Sequence, residues 1–135
     1  MSDYSTIYNT NTFRVTDEEK YNELVEKLIY TEKSTSEDSN GIYHQLSGYD
    51  GICYDLTDEG DCEGDEFSFL NELRKILPKD EAVIYTEIGH SGTDINAYSL
   101  VATCNGVTYI GLVDVANETA KKEINKAVNK SVDRE

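Results

Sequence analysis

The 135-residue chain has no tryptophan, one proline, one methionine and two histidines. It has no apolar run long enough to cross a bilayer as a helix. The N-terminal stretch MSDYSTIYNT has neither a basic start nor an apolar core, so no signal peptide is expected and a cytoplasmic location is. Cysteine is scarce: Cys53, Cys62 and Cys104. No two of them stand close together, and His44 and His90 do not complete a ligand spacing, so structural zinc is not expected. An odd number of cysteines in a chain read as intracellular leads to the expectation of reduced thiols. The most consequential absence is of positive charge. No Lys or Arg occurs between Lys33 and Arg74, while eleven acids fall there.

Those acids are Glu37, Asp38, Asp50, Asp55, Asp58, Glu59, Asp61, Glu63, Asp65, Glu66 and Glu72. Seven of them lie within residues 55–66, the run DLTDEGDCEGDE. The whole chain has 27 acids against 12 bases, a net charge of −15. A field of that sign repels nucleic acid and anionic membranes and attracts basic surfaces. Neither direct nucleic-acid binding nor membrane binding is therefore expected. The segment from Ala116 onward differs, with five bases and four acids.

A chain of this size makes one domain, 1–135, able to bury a core; residues 1–10 and 131–135 read as flexible ends. Thr12 to Val15 reads as a short strand. Thr16 and Glu19 then form a capping-box pattern. Tyr21, Leu24, Val25, Leu28 and Ile29 recur at helical spacing, which predicts a helix from Asp17 to Tyr30 whose other face carries Glu18, Glu19, Glu23 and Glu26. Thr31 to Asn40 contains no apolar residue and reads as a mobile loop. GIYHQL and GICYDL read as two strands around the turn SGYDG. Phe69, Leu70, Leu73, Ile76 and Leu77 make a second stripe, predicting a helix from Glu66 to Leu77 stopped by Pro78. AVIYTEIG, YSLVATC and VTYIGLVDV read as strands, the last two joined by the hairpin signal Asn105-Gly106. A final helix has a thin apolar face at Ala120, Ile124, Ala127 and Val128. The order β-α-β-β-α-β-β-β-α, rich in hairpins, predicts an α+β fold with a mainly antiparallel sheet.

The acidic run admits three readings. From Asp55 to Glu66 it has the length of a calcium loop, with Gly60 sixth and Glu66 twelfth. However, no entering helix precedes it, and Glu59 at the fifth position is a long arm where a shorter one is usual. The run can also complement the dipole of the helix that follows, with Asp65 as N-cap. That accounts for two or three acids and leaves the surplus unexplained. The third reading is presentation to a basic partner, where Tyr49 and Tyr54 would supply contact area beside the carboxylates. Catalytic patterns are weak. GHSG places Ser91 beside His90 in a turn, and adjacency is not triad geometry. The glycines of the acidic run carry the wrong charge to cradle phosphate. Neither an enzyme nor a cofactor is expected.

Strong acidity, an α+β pattern and ten tyrosines resemble the small DNA-mimicking inhibitors of phages and mobile elements, the anti-CRISPR and anti-restriction proteins. The segment NGVTYIGLVDV is similar to a hairpin strand in one group of Cas9-directed anti-CRISPRs; it covers about a tenth of the chain, and its core occurs in many hairpins. The resemblance implies a non-enzymatic inhibitor that occupies the Arg- and Lys-lined channel of a basic nucleic-acid-binding protein, a nuclease or its guide complex. The expected contact residues are Glu37, Asp38, Asp50, Asp55, Asp58, Glu59, Asp61, Glu63, Asp65, Glu66, Tyr49 and Tyr54. An immunity or antitoxin protein that neutralises a basic nuclease toxin fits the same residues, and a calcium-responsive module is the third alternative.

Overall fold

The computed structural model describes residues 5–54 and 64–133. Six strands form one antiparallel sheet in the order β2-β3-β1-β4-β5-β6. They are β1 (Ser5–Thr10), β2 (Leu28–Asp38), β3 (Gly41–Tyr54), β4 (Val83–Ser91), β5 (Asp94–Thr103) and β6 (Gly106–Gly111). Three helices accompany them: α1 (Glu18–Glu26), α2 (Glu66–Leu73), extended by a 3-10 turn over Arg74–Ile76, and α3 (Leu112–Asp133). The fold is α+β, as the sequence predicted. No helix of the described residues is long and apolar enough to cross a membrane.

The core lies between one face of the sheet and α1 and α2. Inward positions alternate along the strands, as a two-residue period requires. Tyr8, Leu46, Val83, Tyr85, Leu100 and Ala102 meet Tyr21, Val25, Phe69, Leu70 and Leu73. Leu70 and Leu73 are buried as the second helical stripe predicted; Leu28 is buried too, but from β2 and not from a helix, and Leu24 is only partly covered. Asp17 caps α1, its carboxylate accepting from the Lys20 amide at 3.1 Å. The capping box at Thr16 is not used, because the Thr16 hydroxyl instead donates to the Ile76 carbonyl.

Several expected elements are displaced. Residues 5–10, read as a flexible end, form β1 in the middle of the sheet, where alternating Thr6, Tyr8 and Thr10 are buried. Phe13 contributes only an isolated bridge to His44. The helix predicted to Tyr30 ends at Glu26, and the apolar pair Leu28-Ile29 opens β2. The polar stretch read as a loop is the rest of β2, pairing with β3 from Thr31 to Asp38. An edge strand needs backbone partners on one side only and tolerates charge, so its lack of apolar residues was no obstacle. The two short strands read at GIYHQL and GICYDL are one 14-residue strand, β3. Asp50 and Gly51 take positive φ there, +64° and +80°, opposite Tyr30 at +61°. The turn signals thus mark a bulge inside a strand rather than its end. β6 stops at Gly111, and LVDV, read as strand, begins α3.

The other face of the sheet is open. Its outward rows run Tyr49–Ile7–Ile88–Ala97 and Asn9–Thr86–Ser99–Ile110 across neighbouring strands. All of α3 whose side chains are described is exposed.

Candidate functional site

The acidic run is held at both ends. Tyr54 closes β3 and pairs with Gly64 across a two-bond backbone bridge, N–H to O=C at 2.9 and 2.8 Å. Gly64 is required by the close approach, since a Cβ there would stand 3.0 Å from the Tyr54 ring and 3.2 Å from its carbonyl oxygen. Directly after it, Asp65 caps α2 by accepting from the Ser68 amide at 3.0 Å. Glu66 Oε1 accepts from the Tyr98 hydroxyl at 2.6 Å, tying the start of α2 to β5. Asp55, Asp58, Glu59, Asp61 and Glu63 lie outside the described residues.

Cys53, immediately before the clamp, is disulfide-bonded, and Cys104 is a free thiol. The expectation of three reduced thiols is therefore corrected at Cys53. Its sequence signal was misleading, because an odd cysteine count does not exclude one bridge.

The remaining expected contacts divide. Glu37 and Asp38 sit at the tip of the β2–β3 hairpin, where Asp38 Oδ1 accepts from the Asn40 amide at 2.7 Å. The 14 residues of β3 separate this tip from the Tyr54 clamp, roughly 40 Å at about 3.3 Å per residue. The acids from Glu37 to Glu66 are consequently not one cluster. Asp50 and Tyr49 are exposed between the two ends. Tyr54 is a correction: it is only 3% exposed, packed edge-on against Phe69, and its ring belongs to the core. Glu66 is half-buried and engaged with Tyr98.

A further row of acids, missing from the expected contacts, lies on α1. The start of α1 lies at His44, whose Nε2 is 2.7 and 2.8 Å from the two Glu18 oxygens. The strand that follows α1 pairs Leu28 with Tyr54. α1 therefore starts against β3 at His44 and packs on α2 and β2, with Glu19, Glu23 and Glu26 exposed on it. Their spacing was visible in the sequence as the polar face of a helix, but the proximity to β3 was not. Lys20 and Lys27 flank Glu23 in the groove between α1 and α2, so the stripe is mixed at that edge.

His44 also lies 3.1 Å from Thr35 Oγ1 through its other ring nitrogen. A hydroxyl, an imidazole and a carboxylate in series are the pairwise contacts of a nucleophile triad. Here the ring is only 4% exposed and stacked on Tyr21 at 3.9 Å. The series joins the N-terminus of α1 to the sheet. His90 and Ser91, read as a turn, are the end of β4.

Glu66 bears on the calcium reading, because the twelfth position of such a loop must offer both carboxylate oxygens to the ion. One of them is taken by Tyr98, and residues 41–54 are strand where an entering helix would stand. Among the described residues no group of three or more metal-ligating side chains gathers. Millimolar calcium is expected to leave the melting temperature unchanged; a rise of many degrees with calcium but not magnesium would restore the loop reading.

No family model, curated protein or solved structure matches the chain.

The tyrosines beside the carboxylates also shape the chemistry. Burial, and then the hydrogen bond to Glu87, drive the Tyr85 hydroxyl far above the ordinary phenol range. Burial and Glu66 do the same to Tyr98, and burial and the Glu18 charge to Tyr21. A raised folded pKa contributes stability that is complete below the unfolded value near 10 and is lost as pH rises beyond it. In a titration above about pH 10, these three phenols are expected to ionise only as the chain unfolds. Absorbance at 295 nm should then show a step coincident with the loss of circular dichroism. Their ionisation in a chain still folded would contradict their burial.

Proposed function

We propose that the protein is a non-enzymatic inhibitor that presents carboxylates to a basic nucleic-acid-binding protein in place of DNA phosphates. The observation that carries this reading is the anchoring of the base-free acidic run. Its ends are joined by the Tyr54–Gly64 pair, and its C-terminal flank is tied down through Asp65 and Glu66. Anchored ends reduce the conformational freedom lost when the run is held by a partner. The hairpin tip sets further carboxylates roughly one turn of duplex DNA from the clamp, and α1 adds Glu19, Glu23 and Glu26 on its exposed side. Carboxylates accept two parallel hydrogen bonds from arginine, as phosphates do. A Cas9-type or restriction nuclease has the matching channel, and a basic nuclease toxin is the alternative partner.

The reading places the protein in the cytoplasm of the cell that holds the nuclease. Disulfides are reduced there, and the Tyr54–Gly64 backbone pair does not depend on the one at Cys53. The test is capture of the partner from lysate on immobilised protein, followed by release with salt and with duplex DNA. A basic nucleic-acid-binding protein released by both is expected. Capture that DNA cannot displace would contradict mimicry.

A further inference from the structure

The open sheet face is notable for what it does not carry. In a chain with 27 acids and 12 bases, no Asp, Glu, Lys or Arg occupies the outward rows of β1, β4, β5 and β6 described above. Ile7, Ile84, Ile88 and Ile110 are exposed on it, at 53%, 42%, 46% and 38%. A groove at its β6 edge, lined by Ile88, Ala97, Ile110, Leu112 and Val115 among others, carries the apolar surface onto the first turn of α3.

α3 shows the complementary deficiency. Its stripe of Val113, Ala116, Ala120, Ile124, Ala127 and Val128 repeats at helical spacing and faces solvent, with Ile124 62% and Val128 56% exposed. The helix does not cover its own sheet, since every described side chain of it is exposed. β6 ends at Gly111 and α3 begins at Leu112, which leaves no connecting residue to reverse the chain. Gly111 is itself crowded, a Cβ there standing 2.9 Å from Asp114 Oδ2. From this start, 22 residues project about 33 Å at 1.5 Å per residue.

Charge selects the occupant. Residues 1–115 carry a net charge of −16, and the segment from Ala116 on carries +1. Among the described residues, another copy's α3 is therefore the long element with an exposed apolar stripe that an acidic body does not repel. A basic partner, by contrast, gains no ion pair on these uncharged rows; on the same face Glu32 stands beyond them, on β2. We propose that the chain forms a symmetric dimer in which α3 of each copy lies across the open sheet face of the other. The exchange is isologous, so it closes at two copies. The sheet face and the helix stripe together supply roughly twenty residues a side, the scale of a stable interface.

The test is the mass of the full chain in solution, by light scattering and sedimentation. A dimer is expected, and because two acidic bodies approach, it should tighten as salt rises. Partner binding through the acidic run would weaken under the same change. Ile88→Lys on the sheet and Ile124→Asp on the helix should each yield a folded monomer by circular dichroism. Mixed in equal amounts, the two variants should dimerise again, since one helix–sheet contact is then intact and the other pairs opposite charges. A wild-type chain that is monomeric at all micromolar concentrations would overturn the proposal. So would an Ile124→Asp variant that stays dimeric, or a mixture that stays monomeric.

Discussion

Replacing Asp58, Glu59 and Asp61 together by lysine is expected to abolish partner binding while the chain stays folded. The change moves the net charge from −15 to −9, and it reverses the sign of the middle of the base-free run. Each new lysine faces the arginines and lysines that the run is proposed to meet, so attraction becomes repulsion at contact distance. Losing close charge pairs at an interface costs several kcal/mol, on the order of a 100-fold or greater loss of affinity. The association rate should fall as well, because steering by the acidic field is weakened. Folding is expected to be spared, since the substitutions relieve repulsion among clustered like charges. Binding and inhibition are measured on the captured partner, with circular dichroism as control. A folded triple variant that inhibits at wild-type strength would remove the run as the contact surface. The hairpin tip at Glu37 and Asp38 and the stripe Glu19, Glu23 and Glu26 would then be the surface to test.

Leu73→Ala is expected to cost about 2–5 kcal/mol, a large part of the roughly 5–15 kcal/mol that holds a domain together. Leu73 is fully buried at the end of α2, in the cluster that joins that helix to β3 and β5. Its truncation leaves a cavity that the 3-10 turn behind it restricts from closing. Phe67, on the same helix, is 50% exposed, and Phe67→Ala should change stability by much less. Urea unfolding of both variants decides the matter, with the midpoint shifting and the slope unchanged. A Leu73→Ala loss below about 0.5 kcal/mol would mean that α2 is not packed as described. α2 also anchors the acidic run through Asp65 and Glu66. Loss of its packing should therefore weaken partner binding even where the protein remains mostly folded.

The candidate site was legible in its charge and not in its shape. Asp65 could be read as a helix cap from its place before an apolar stripe, and it is one. Tyr54 could not be placed, because alternating tyrosines and carboxylates look alike on a wet surface and at a sheet edge; burial against Phe69 decides it. The Asn105-Gly106 turn was readable from two residues, and its hairpin is present with Gly106 at positive φ. SGYDG carried the same kind of signal, yet β3 passes straight through it. A glycine at positive φ serves a bulge as well as a turn, and only the continuing pairing with β2 distinguishes them.

By itself the sequence determined the apolar stripes of α1 and α2, a helical stop ahead of Pro78, the tight β5–β6 hairpin and the concentration of acid. Each follows from a period, a cap or a composition that a short window contains. The tertiary structure alone decided that β1 lies at the centre of the sheet, that a wholly polar stretch is strand, and that the hairpin tip and the Tyr54 clamp stand apart. It also decided that α3 leaves the outer face of the sheet uncovered. These outcomes depend on which distant backbone groups pair, and backbone hydrogen bonds are the same for every residue type except proline. The side chains of Thr31 to Asp38 therefore do not encode their partner, whereas β3, already seated on the core through His44, Leu46, Ile52 and Tyr54, offers them one.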